Sequence, residues 1–200
     1  MVLSNRARFK KVWNKFCDFY KKYGCKGMDK LWGGYFREES DIVFHLARFC
    51  AQELGEGYVH LNSPIHKIYF NNFPGKRRQH IDIDLTDPDT FSTKNAKHGI
   101  FVEVKWIYKD ILKQPYGEGR LKRRLDSIEK DLEKLDENLK NGRCENAFMV
   151  IVDDEGRVDN KRIADWKKKY LSVQILLCQC KSVSPKLESA SKDTSRDTLE

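Results

Sequence analysis

Two short apolar segments constrain this chain most: Ile81-Asp82-Ile83-Asp84-Leu85 and Ile100-Phe101-Val102-Glu103-Val104-Lys105-Trp106. Both are rich in the β-branched and aromatic residues that favour strands, and both carry charge at alternate positions. Side chains alternate faces along a strand, so Glu103 and Lys105 project together while Val102, Val104 and Trp106 project the other way. Asp82 and Asp84 share a face in the same manner. Charges among buried β-branched residues are costly unless they are paired or hold a metal, so a functional site is expected on these two strands.

The polar, turn-rich stretch from Thr86 to Gly99 reads as a long hairpin connection. Pairing Leu85 with Ile100 at its mouth places Asp82 opposite Glu103, close enough to share a divalent cation. Asp84 then lies one step nearer the loop, and Asp89 lies in the loop itself.

The flanking elements follow from periodicity. Glu39-Ser40-Asp41-Ile42-Val43 opens an amphipathic helix whose buried stripe is Ile42, Val43, Leu46, Ala47, Cys50 and Leu54. A strand is expected around Ile65 to Phe70, ahead of the Asp82 and Glu103 strands. Leu121, Leu125, Ile128, Leu132, Leu135 and Leu139 are spaced by fours and threes and predict a long helix, with core packing as the simplest use of the stripe and dimerisation as a lesser one. Apolar runs at Ala147 to Val152 and Ser172 to Cys178 predict two more strands, separated by a short helix around Arg162 to Tyr170. The crossover after Lys105 is long enough to make the next strand parallel.

An Asp in one strand followed by Glu-x-Lys in the next resembles the PD-(D/E)xK nuclease superfamily, which includes restriction endonucleases and Holliday-junction resolvases. The resemblance rests on Asp82, Glu103 and Lys105, with Glu39 at the place where resolvase-like families carry a glutamate in the preceding helix. Glu38, one position out of phase, is the alternative to Glu39. For the aspartate, Asp82 is preferred, Asp84 is second, and Asp89 of the literal Pro88-Asp89 pair is third. The resemblance implies an α/β restriction endonuclease-like αβββαβ core, a central mixed sheet flanked by helices, with a basic N-terminal helix added. It further implies a Mg²⁺- or Mn²⁺-dependent DNA endonuclease in which Asp82, Glu103 and the Val104 carbonyl hold the ion. Lys105 would then orient water or stabilise charge on the phosphate, with Glu39 assisting. No proline precedes Asp82 and no clear glutamine partner follows Lys105, which leaves the subfamily open.

Charge supports a polyanionic partner. The net charge is +8, and the first 37 residues alone set ten Lys and Arg against Asp18 and Asp29. In this leader Phe9, Val12, Trp13, Phe16, Tyr20 and Tyr23 fall at helical spacing, so one face docks while the other shows cations. Lys10, Lys11 and Lys15 of that helix are expected to contact nucleic acid, as are Arg77 and Arg78 before the Asp82 strand and Arg120, Arg123 and Arg124 opening the long helix. The plain alternative is a solvated lysine-rich helix.

At 200 residues and 40% apolar content, one domain over residues 1–181 is expected, with 1–37 as a basic extension and 182–200 as a disordered polar tail. With no signal peptide and no membrane-spanning apolar run, an intracellular protein without a membrane partner is expected, and its six cysteines are read as reduced thiols. The histidines and cysteines lack metal-ligand spacing, and no phosphate-binding glycine loop of the GxxxxGK[ST] kind is present. The competing functional expectations are a catalytically inactive protein of the same fold that binds nucleic acid or a protein, and an interaction protein whose leader binds RNA or an acidic partner.

Overall fold

The computed structural model describes residues 5–24, 38–64, 80–86, 97–109 and 111–180. The expected strand at 65–70, Arg77, Arg78, Asp89 and the tail from 182 lie outside the described residues.

The described chain is α/β. Its elements are α1 (Asn5–Tyr23), α2 (Glu39–Leu54), β1 (Val59–Pro64), β2 (His80–Leu85), β3 (His98–Ile107), α3 (Gly117–Lys140), β4 (Cys144–Asp153), α4 (Asn160–Lys169) and β5 (Gln174–Gln179). They build one five-stranded mixed sheet in the order β1-β2-β3-β4-β5. The β1–β2 and β2–β3 pairs are antiparallel, while β3–β4 and β4–β5 are parallel. The α3 crossover from β3 to β4 makes the parallel pairing possible, as the length of that connection predicts.

Helices cover both faces, which explains why β4 reads as an unbroken apolar run. One face carries Ile83, Val102, Val104, Phe148, Val150 and Val152 against α1 and α2. The other carries Phe101, Met149, Ile151 and Ile175 against α3 and α4. The leucine stripe of α3 is spent on this second core: Ile128, Leu132 and Leu135 are fully buried and Leu121, Leu125 and Leu139 flank them.

The leader helix is a structural part of the domain. Phe9, Val12, Trp13, Phe16, Cys17 and Tyr20 of α1 are all buried, and the Phe9 ring lies 4.5 Å from that of Phe148 on β4. Helix α2 starts where Asp41 accepts the Glu38 backbone N–H at 3.0 Å, and it stops at Gly55, whose φ of 105° few side chains tolerate. Helix α3 ends in a Schellman turn: Gly142, at φ 66°, lets its own N–H reach Leu139 O while Arg143 N–H reaches Asn138 O. That turn hands the chain to β4.

One described strand goes beyond the expected ones: Val59–Pro64, in a segment (VHLNSP) whose Asn-Ser-Pro ending reads as loop. One expectation is corrected. The six cysteines are not all thiols: Cys17, Cys50, Cys144 and Cys178 are free, but Cys180 is disulfide-bonded. No described helix is long and apolar enough to cross a membrane.

Candidate active site

The hairpin mouth has the register that the sequence predicts. Leu85 pairs with Ile100, Asp84 with Phe101 and Ile83 with Val102. Continuing one step brings Asp82 level with Glu103, but there the ladder stops and β2 leaves β3. On its far side, β1 pairs Leu61 with Ile83 and Ser63 with Ile81, skipping Asn62, which sits at φ 48° opposite Asp82. Both neighbours of the Asp82 position are therefore irregular.

The edge of β3 that opens there is taken over by carboxylates. Asp82 Oδ2 accepts the Val104 N–H at 2.8 Å, and two residues on, Glu39 Oε2 accepts the Trp106 N–H at 2.9 Å. Glu39 reaches this edge because it is the first residue of α2, whereas Glu38 is the exposed cap. A strand residue directs its N–H and C=O to the same edge, so the Val104 carbonyl faces the same gap.

A charged network fills the α3 side. Lys105 Nζ lies 2.8 Å from Asp131 Oδ2 and 3.5 Å from Glu39 Oε1. Lys134 Nζ lies 2.6 Å from Glu103 Oε1 and 3.1 Å from Asp131 Oδ1, and it donates to the His80 carbonyl at 3.1 Å. Arg124 closes the network by donating to Glu39 Oε2 at 2.8 Å. The expected residues Glu39, Asp82, Glu103 and Lys105 are thus brought together from three elements, with two partners on α3 that sequence reasoning missed. Asp131 and Lys134 stand three apart at the margin of the leucine stripe, a spacing that reads as ordinary solvated flank. Their offset from the stripe is the available signal, and it does not distinguish them from a dozen other charges on that helix.

Burial sets the electrostatics. Glu103 is 2% exposed and Lys105 8%. Loss of hydration, with Asp82 close by, pushes the Glu103 carboxyl up to about 8 against the opposing pull of Lys134. Burial works against the Lys105 ammonium, but Glu39 and Asp131 outweigh it and hold that ammonium above the ordinary lysine value. Lys134 is held high in the same way, with Glu103 and Asp131 outweighing burial. Among the described residues no three His, Cys, Asp or Glu side chains form a ready-made metal cluster. Mg²⁺ does not require one: one or two carboxylates with other hard oxygens suffice, and Asp82, Glu103 and the Val104 carbonyl are of that kind.

No protein-family model, curated protein or solved structure compared with the chain matches it.

Asp84, the second choice in the sequence, belongs elsewhere. It is 1% exposed, 2.6 Å from His98 Nδ1 and 3.2 Å from Ser63 Oγ, and it also takes the Thr86 hydroxyl, which in turn accepts the Gly99 N–H at 3.2 Å. This knot ties the hairpin mouth. Asp84→Ala is expected to cost about 3 kcal/mol, because it strips one side from a buried polar pair. Urea unfolding checks the loss, and divalent-cation binding by the folded variant is expected to be unchanged.

The basic residues divide. Lys11 and Lys15 of α1 both bind Glu53 at the end of α2, at 2.9 and 2.8 Å, and Arg8 donates to the Glu53 carbonyl. Lys10 faces solvent. All three expected lysines of α1 belong to the helix that packs on the sheet face opposite α3, so these three do not flank the network. Arg120, Arg123 and Arg124 do: with Tyr108, Ile111 and Ser127 they line a cleft of about 310 Å³ that meets the network at Arg124. Arg120 and Arg123 have no ion-pair partner among the described residues.

Proposed function

We propose that this chain is a Mg²⁺- or Mn²⁺-dependent DNA endonuclease with a PD-(D/E)xK-type site on a restriction endonuclease-like core. The observation that carries the reading is the meeting of Asp82, Glu103, Lys105 and Glu39 at the place where β2 parts from β3. The order helix, three strands, helix, strand in α2 to β4 is the core order of that fold and supports it further.

In this reading Asp82, Glu103 and the Val104 carbonyl hold the cation. When bound, the ion supplies positive charge to an anionic phosphate and makes water nucleophilic near neutral pH. Lys105, fixed by Asp131 and Glu39, directs its ammonium along the Glu103 side of the strand, where it stabilises negative charge that develops on the phosphate oxygens. Glu39 holds Lys105 and Arg124 and ties them to the β3 backbone. Arg120 and Arg123 remain available for the flanking strand phosphates.

A gel assay on supercoiled, linear, branched and single-stranded DNA with Mg²⁺ or Mn²⁺ tests the proposal. The wild type is expected to cut at least one substrate, and Lys105→Met to lower the rate about 10² to 10³-fold without loss of fold. A second reading, a protein of this fold that binds nucleic acid without cutting, is favoured by the Lys134 ammonium 2.6 Å from Glu103, since that carboxylate already has a cation of its own. Salt-dependent binding with no cleavage of any substrate decides for it.

A further inference from the structure

The charge on α3 bears directly on how the site takes up its ion. Without Lys134, four acids (Glu39, Asp82, Glu103 and Asp131) would face only Lys105 and Arg124. Lys134 sits between the strand and the helix, touching Glu103 Oε1 at 2.6 Å, Asp131 Oδ1 at 3.1 Å and the His80 carbonyl at 3.1 Å. Lys105 touches Glu39 and Asp131. The two lysines therefore have different places: one is anchored beside the strand, and the other occupies the approach to Glu103.

We propose that Lys134 is a displaceable resident cation, whose ammonium holds the position on Glu103 that a divalent cation takes and retreats onto Asp131 when the site is loaded. The inference rests on the reading of Asp82 and Glu103 as the cation's ligands. Mg²⁺ binds carboxylate oxygen at about 2.0–2.1 Å, so an ammonium 2.6 Å from the same oxygen stands in strong repulsion with it. The lysine stem is flexible and its ammonium is a point charge with three rotatable donors, so it moves off more readily than an arginine fork. Asp131 already binds Lys134, so the released ammonium keeps a partner and is not stranded in a half-buried setting. The consequence is a site that stays folded without metal and loads only above a threshold of free cation.

Mn²⁺ calorimetry on the full chain tests this with Lys134→Met and, as the control for simple loss of positive charge on the same helix, Lys130→Met, whose lysine is exposed. Lys134→Met is expected to bind Mn²⁺ at least about tenfold more tightly than wild type, and Lys130→Met within about twofold of it. A second measurement uses the wild type alone: acetylation by acetic anhydride, read by mass spectrometry, is expected to label Lys134 faster at saturating Mn²⁺ than without it, because the ammonium then keeps only one of its two carboxylate partners. Equal affinity in the two variants, or a Lys134 that is labelled no faster in the loaded protein, overturns the inference. If Mn²⁺ binding is lost in Glu103→Gln but not tightened in Lys134→Met, only the displacement idea falls. If neither wild type nor Lys134→Met binds Mn²⁺, the ligand reading falls with it.

Discussion

Glu103→Gln is expected to abolish metal-dependent DNA cleavage, by at least about 10³-fold, while making the metal-free protein more stable at alkaline pH. The first effect follows because the amide keeps the shape of the side chain but loses the charge that would hold the cation beside Asp82. The second follows from the cost of ionising a carboxyl that is 2% exposed. Its folded value is near 8 and its ordinary value 4.5, so between those limits the folded chain keeps a proton that the unfolded chain has released. Stability from this group is fully present below about 4.5 and is lost as pH rises through about 8, at up to about 1.4 kcal/mol per pH unit. Thermal melts of wild type against Glu103→Gln from pH 5 to 9 check the sign: the gap between them should widen in favour of the variant as pH rises. A gap that narrows would mean that the Lys134 ammonium outweighs the burial of Glu103 and carries its folded value below the ordinary one. A site that gives up stability for charge placement is the usual signature of function.

The second large effect concerns the leader. Phe9→Ala is expected to cost about 4 kcal/mol, the range for emptying a phenylalanine site in a packed core. The ring is fully buried against Phe148, and α1 as a whole closes one face of the sheet with α2. Removal of residues 1–37 is accordingly expected to yield an insoluble or molten chain. Chemical denaturation of Phe9→Ala and the near-ultraviolet circular dichroism of the truncation read these outcomes. A folded truncation would mean that α2 and the sheet close the core alone.

The sequence carried the centre of this structure and missed its periphery. Strand alternation, with Leu85 against Ile100, was enough to set Asp82 level with Glu103 and to separate Asp82 from Asp84 by one step. Helical phase was enough to choose Glu39 over Glu38. What escaped are contacts that join distant segments without a local pattern. Glu53 captures Lys11 and Lys15 from about forty residues away, an α1–α2 clasp that helical spacing alone does not show. Asp131 and Lys134 look like solvated helix flank until the sheet beneath them is known to present Glu103 and Lys105. The strand β1 was hidden by its polar ending, and Asn62 in it takes a left-handed turn that no strand pattern anticipates.

The most direct test of the central claim is Mn²⁺ binding by calorimetry to wild type, Asp82→Asn, Glu103→Gln and Asp84→Asn near pH 8. Binding by wild type and Asp84→Asn, lost in Asp82→Asn and in Glu103→Gln, is the predicted result. Retention of binding in both of those variants, or no binding by the wild type at millimolar Mn²⁺, would contradict it.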